Sequence, residues 1–218
     1  MSIRIDNINF GPLMYYNSEV GHWVPNRDGI INRMFDRRNV GNADFYREVR
    51  SGRLNRDEFT ALQMYQAETE RLRAKFLSDG ILDDNERRTL EQRQRELDRL
   101  YNTYVQGDYH PRYQVGGYRD GDRMDPNIDQ RMLDQYGRIY DGIRNGELTY
   151  REYNRLDNNL EAISRYRGYA GAYGWNYNPL YKSYVHAALD YNNYLLNYYN
   201  NNFERQWWRY FIPSYMIA

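Results

Sequence analysis

The chain contains no cysteine in its 218 residues. That absence excludes disulfides, thiolate nucleophiles and cysteine-based zinc sites. Its three histidines, His22, His110 and His186, are scattered, with neither the His-x-x-x-His nor the Glu-x-x-His spacing that sets two ligands on one helix face. Lysine is nearly absent: Lys75 and Lys182 are the only two, so 28 of the 30 basic residues are arginine. Thirty acidic residues bring the net charge to zero, and no basic block interrupts the balance, which gives no electrostatic reason to expect nucleic acid. No run of about twenty apolar residues is present, so no transmembrane segment is expected. No leader is expected from the opening Met1-Ser2-Ile3-Arg4, and one removed beforehand would leave no trace, so no compartment is assigned. Phosphate loops, nucleophile elbows and dinucleotide fingerprints are also missing. No cofactor and no catalysis are expected. An enzyme would show itself by a deep cleft with converging titratable groups.

Aliphatic residues are scarce too. Leu, Ile, Val and Phe total 43, about a fifth of the chain, which is the margin at which disorder becomes an issue. Balanced charge argues for a folded chain instead, as do 25 Tyr and 4 Trp. Each buried ring removes roughly 150–250 Å² from water. The interleaving of Arg with Asp and Glu suggests bidentate pairs lacing helices together, although most exposed charges form a solvated face worth little.

What the sequence does contain is a repeated helix-stop, helix-start signal. It reads Asn145-Gly146-Glu147-Leu148-Thr149-Tyr150-Arg151-Glu152-Tyr153, and upstream Ser51-Gly52-Arg53-Leu54-Asn55-Arg56-Asp57-Glu58-Phe59. The glycine takes the left-handed conformation that ends a helix. Thr149 with Glu152 reads as a capping box, and Leu148 with Tyr153, like Leu54 with Phe59, as a hydrophobic staple. Gly80-Ile81-Leu82 with Glu86 repeats the turn 28 residues on, and Gly174 follows Gly146 by the same interval. An offset of 94 maps Gly52, Leu54, Glu58 and Leu62 onto Gly146, Leu148, Glu152 and Leu156, which argues for an internal duplication. The fourth turn is altered. Trp175-Asn176-Tyr177-Asn178-Pro179 replaces the box, and Leu180 stands where Glu86 predicts an acid.

The expected fold is all-α: two duplicated antiparallel helical-hairpin units with an extended N-terminal arm and an aromatic C-terminal tail. The boundaries are an arm over 1–43, unit one over 44–106, a Gly- and Asp-rich linker over 107–127, unit two over 128–202 and the tail over 203–218. The last helix carries Tyr181, Tyr184, Ala188, Tyr191, Leu195 and Tyr198, a tyrosine stripe in place of aliphatics. Tyrosine buries its ring but wants a partner for its hydroxyl, which suits interfaces.

The Gly-x-Leu-x-x-x-Glu spacing matches the second half of an EF-hand loop. Asp79, Asp83 and Glu86 are its weak metal candidates. The positions that should supply the first ligands include Lys75 and Leu77 in one loop and Val49 or Ile143 in the others, so helix capping is preferred over calcium. Asp120, Asp122 and Asp125 in the linker form a looser cation candidate. The repeated Gly-x-Leu-Thr/Asp-x-x-Glu hairpins, over Asp44–Tyr104 and Ile128–Ala170, resemble a loose group of bacterial helical-hairpin repeat proteins mostly without assigned activity. That resemblance implies a helical-hairpin fold and no particular chemistry.

The expected role is a non-catalytic structural or protein-interaction subunit of a homo-oligomer or multi-subunit complex. Its contacts would come from Tyr184, Tyr191 and Tyr198 on the last helix and from Trp207, Trp208, Tyr210 and Phe211 in the tail. Two alternatives stand beside it: a peripheral membrane protein anchored by that tail, with Arg205 and Arg209 facing headgroups, and a degenerate EF-hand-like cation binder.

Overall fold

A glycine that ends one helix and a polar side chain that starts the next explain most of this architecture. The structure, a computed structural model, describes residues 15–17, 22–24, 40–107, 126–174 and 178–201. The chain divides into two units, Met1–Asn39 and Val40–Ala218. In the first, the backbones of β1 (Tyr15–Asn17) and β2 (His22–Val24) pair antiparallel, with Tyr16 opposite Trp23. In the second, the described residues form α1 (Asn42–Ser51), α2 (Arg56–Phe76), a 3₁₀ turn (Leu77–Asp79), α3 (Asp84–Gln106), α4 (Pro126–Asn145), α5 (Tyr150–Ala172) and α6 (Pro179–Asn200). Helical structure begins slightly before the expected boundary at 43: Val40 is buried, and the Gly41 N–H donates to Asp44 Oδ2 at 3.0 Å.

The turn between α1 and α2 closes as its residues dictate. Gly52 has φ +81°, and Glu48 O accepts from Arg53 N at 3.0 Å and Leu54 N at 3.3 Å. Asn55 then caps α2, accepting from Glu58 N at 3.0 Å while Glu58 Oε2 accepts from Asn55 N at 2.8 Å. The turn between α4 and α5 uses the same bonds. Gly146 has φ +77°, Gly142 O accepts from Glu147 N at 2.8 Å and Leu148 N at 2.9 Å, and Thr149 N donates to Glu152 Oε2 at 2.9 Å. Leu54, Phe59, Leu148 and Tyr153 are all buried, so each staple feeds the core.

The remaining two turns differ by one residue. Gly80 lies three positions before the cap Asp83, whereas Gly174 lies four positions before the cap Asn178. Asp83 Oδ1 accepts from Glu86 N at 2.8 Å, and Asn178 Oδ1 accepts from Leu180 N at 2.9 Å with Pro179 as the first helical residue. Leu180 therefore does not occupy the place of Glu86. The extra residue moves that place to Tyr181.

Helices α2 and α5 make the most extensive contact; α4 lies along α2, while α3 packs on α2 and α6 on α5. The hairpins meet through reciprocal bonds. Tyr46 Oη donates to Leu148 O at 3.0 Å and Tyr140 Oη to Leu54 O at 3.2 Å; Arg50 donates to Ile143 O and Arg144 to Arg50 O, each at 3.1 Å. Ion pairs do lace helices, as Arg165 with Glu70 (3.1 Å) and Arg167 with Asp129 (2.8 Å). Several others stay within one helix, among them Arg47 with Asp44 and Arg87 with Asp84.

The α2–α5 crossing is tight enough that a side chain is excluded. A Cβ at Gly168 would fall 2.1 Å from Arg71 O and 2.9 Å from Ala74 Cβ. Gly168→Ala must push the helices apart, and overpacking of this kind costs about 1–3 kcal/mol. Thermal unfolding followed by circular dichroism should show a melting temperature several degrees lower; an unchanged value would mean the helices do not approach this closely.

Candidate functional site

Two features of the helical unit carry unusual chemistry. The first is a cavity of about 10 Å³ between α2, α4 and α5, lined by Met64, Glu68, Arg71, Asp129, Met132 and Arg167. Its size is near the lower bound for one water molecule. Half-buried Glu68 faces it. Desolvation is the main influence on its carboxyl, outweighing the pull of Arg93, Arg71 and Arg167 and aided by Asp129, and it lifts the pKa to about 7. Beside it, Arg167 is 7% exposed and donates to Asp129 Oδ1 at 2.8 Å. Nothing in the sequence singled out Glu68, since its character comes from the helices that surround it.

Burial acts similarly on phenols nearby. Tyr65 donates to Glu96 Oε2 at 3.0 Å and lies under the Arg93 guanidinium, 4.9 Å from the ring centre. Desolvation raises its pKa to about 12, partly opposed by Arg93. Tyr136 and Tyr153 are pushed well above the ordinary value, first by burial and then by the neighbouring Asp157. These phenols stay neutral and act as packing groups.

The second feature is the outward face of α6. The sequence suggests one stripe on this helix, and the structure divides it. Tyr181, Val185, Leu189, Asn192, Leu195 and Leu196 are buried. A separate face carries Leu180 (78% exposed), Tyr184, Ala187, Tyr194 (63%) and Tyr198 (56%), with Tyr191 among them half-buried against the core. Their spacing is 4-3-4-3-4, the seam of a two-helix coil. Leu180 and Tyr194 join the expected Tyr184, Tyr191 and Tyr198, and the heptad spacing was the signal that marks them. Tyr184 is also held on one side by Tyr166, ring centres 4.6 Å apart.

The polar side of α6 is occupied by α4. Arg131 reaches His186 Nδ1 at 2.6 Å and Asp190, and Arg138 donates to Asn193 and Asn197. Deeper in, Gln135 donates to Leu189 O at 3.0 Å and accepts from Asn192 at 2.9 Å, while Asn159 donates to Asn192 at 2.9 Å. These bonds set the rotation of α6 and so determine which residues face outward.

The metal candidates are engaged by backbone. Asp79 Oδ1 accepts from Ile81 N at 2.9 Å, Asp83 Oδ1 from Asn85 N at 2.7 Å, and Glu86 Oε2 from Asp83 N at 3.0 Å. Trp207, Trp208, Tyr210 and Phe211, like Asp120, Asp122 and Asp125, lie outside the described residues. No family model, curated protein or solved structure matches the chain.

Two measurements check these assignments. The folded-state pKa of Glu68 is above its unfolded value, so its contribution to stability is complete below about 4.5 and is lost as pH rises through about 7. Glu68→Gln should thus melt higher than the parent at pH 8, by on the order of 1 kcal/mol, with the gap closing toward pH 4.5; a gap independent of pH would contradict the burial argument. Thr149→Ala should cost about 1 kcal/mol of stability to the same degree with and without calcium. A calcium-dependent rise in the parent's melting temperature would make the turns cation sites instead of caps.

Proposed function

We propose that the chain is a non-catalytic structural or protein-interaction subunit of a larger assembly. It is built from two copies of one helical-hairpin unit and docks through the outward face of α6, together with its arm and aromatic tail. The duplication is supported by the reciprocal tyrosine bonds: Tyr46 and Tyr140, and their acceptors Leu54 and Leu148, are related by the offset of 94, as are the donors Arg50 and Arg144, whose acceptors Ile143 and Arg50 lie one residue out of that register. The rings follow the same rule, with Tyr46 stacked on Tyr153 at 6.0 Å and Phe59 against Tyr140 at 5.9 Å.

The single observation that carries the docking role is a comparison of α3 with α6. The extra residue in the last turn makes their offset 95. In that register Leu90, Leu97 and Tyr101 correspond to Val185, Asn192 and Leu196, and all six are buried. The outward face of α3 is then Asn85, Thr89, Gln92, Glu96, Arg99 and Thr103, wholly polar. At the corresponding places α6 has Leu180, Tyr184, Ala187, Tyr191, Tyr194 and Tyr198. Packing within the unit imposes no aromatic residue there, since α3 does without one. An exposed apolar patch of this extent is at the upper end of what a monomer shows, and such patches are often functional.

Tyrosine nitration read by peptide mass spectrometry tests this role. Tyr194 and Tyr198 should react readily in the purified, dilute chain and be protected in the assembly isolated from the native source, while Tyr150, exposed on another helix, reacts in both. Equal reaction of Tyr194 and Tyr198 in the two samples would contradict a docking role for α6.

A further inference from the structure

We infer that the outward face of α6 takes the same face of a second copy of this chain, the two helices packing antiparallel. This rests on the docking role proposed above and names its partner. The first argument is the spacing. Leu180, Tyr184, Ala187, Tyr191, Tyr194 and Tyr198 recur at 4-3-4-3-4 along one helix, the repeat by which one helix presents knobs to another. A wider apolar band would suit a sheet or a lipid surface, and the flanking residues hold little positive charge beyond Lys182 to favour lipid headgroups.

The second argument is self-complementarity. The seam contains no charge, so a copy meets it without repulsion. Asp190, the nearest acid, is already held by Arg131. Antiparallel alignment about the centre of the stripe sets Leu180 opposite the second copy's Tyr198, Tyr184 opposite Tyr194, and Ala187 opposite Tyr191. The small Ala187 thus receives a ring. A parallel alignment would place Ala187 against Ala187 and leave a gap, while opposing the two Tyr191 rings at one level.

The third argument is area. Covering the exposed parts of these six residues removes roughly 500–600 Å² per chain, taking about 200 Å² for a whole tyrosine ring. Two copies then bury about 1,100 Å² in total, just above the ~1,000 Å² that a specific interface requires. The expected dimer is weak, with a dissociation constant on the order of micromolar.

Sedimentation equilibrium of the full chain over a concentration series tests the inference. The parent, 26.5 kDa as a monomer, should approach twice that mass with rising concentration. Ala187→Arg adds bulk and charge to an exposed position of the monomer, so helicity and melting temperature at low concentration should hold while association weakens at least about tenfold. Thr89→Arg on the polar face of α3 should associate like the parent. The alignment is tested by charge pairing: Ala187→Glu and Tyr191→Lys singly should each abolish dimers, and the double variant should restore them, because only the antiparallel pair sets 187 against 191. A parent that remains monomeric to about 500 µM overturns the inference, as does an Ala187→Arg variant that dimerises normally. Failure of the double variant to recover overturns the antiparallel alignment. A monomeric parent whose Tyr194 and Tyr198 are nonetheless protected in the native assembly would leave the docking role standing with another partner, whereas absence of both effects removes both.

Discussion

The close approach of α2 and α5 is the contact on which the other helices depend. It exists because Gly168 has no side chain: the Arg71 carbonyl fills the place a Cβ would take. Bringing two long helices so near puts polar groups in the interior, where several of them pair across the crossing. Gln63 donates to Tyr153 Oη at 2.5 Å, Gln66 donates to Glu161, and Glu70 takes Arg165 at 3.1 Å. Such bonds add little net stability over an apolar core, but they penalise every sliding of one helix along the other. The crossing also lays the two hairpin turns side by side. Tyrosine hydroxyls of each then reach a carbonyl in the other's turn, and arginines of each reach a carbonyl near the other's helix end.

From that arrangement the outer helices follow with different results. Helix α3 packs with Leu90, Leu97, Tyr101 and Tyr104 and turns a polar face to solvent. Helix α6 packs with Val185, Leu189, Leu196 and Asn192, whose amide is bonded to Gln135 and Asn159. Its polar side is then spent on Arg131 and Arg138 of α4. What faces solvent is therefore a side of α6 that the described helices cover only in part, at Tyr184 and Tyr191, and it is aromatic. A chain poor in Leu, Ile and Val has placed tyrosine where burial is conditional: the ring gains from a partner, and the hydroxyl tolerates water in its absence.

The helical turns were legible because their determinants are local. Gly52, Gly80, Gly146 and Gly174 all adopt positive φ, and Asn55, Asp83 and Thr149 all cap, as expected from residues within a few positions of each turn. The start of α6 was not legible to the residue. The interval of 28 put Leu180 in the place of Glu86, and the extra residue became evident only with the cap at Asn178 and the buried face of α6. One residue is a rotation of about 100°, enough to exchange a buried tyrosine for an exposed one. That is why Tyr181 and Leu195 belong to the core although they sit beside Tyr184 and Tyr198 in the sequence. Glu68 was invisible for a different reason. Its surroundings, Arg93, Asp129 and Arg167, come from three other helices, and no spacing along the chain announces them.

The central claim is that the aromatic face of α6 serves contact and not the fold. The most direct test is the thermal stability of the dilute triple variant Leu180→Gln, Tyr194→Gln, Tyr198→Gln, compared with Leu189→Ala on the opposite face of the same helix. Glutamine is a good helix former, so the triple variant should stay within about 0.5 kcal/mol of the parent, whereas loss of the buried Leu189 should cost about 2–5 kcal/mol. A triple variant destabilised as strongly as Leu189→Ala would mean that the face belongs to the protein's own core, contradicting the account.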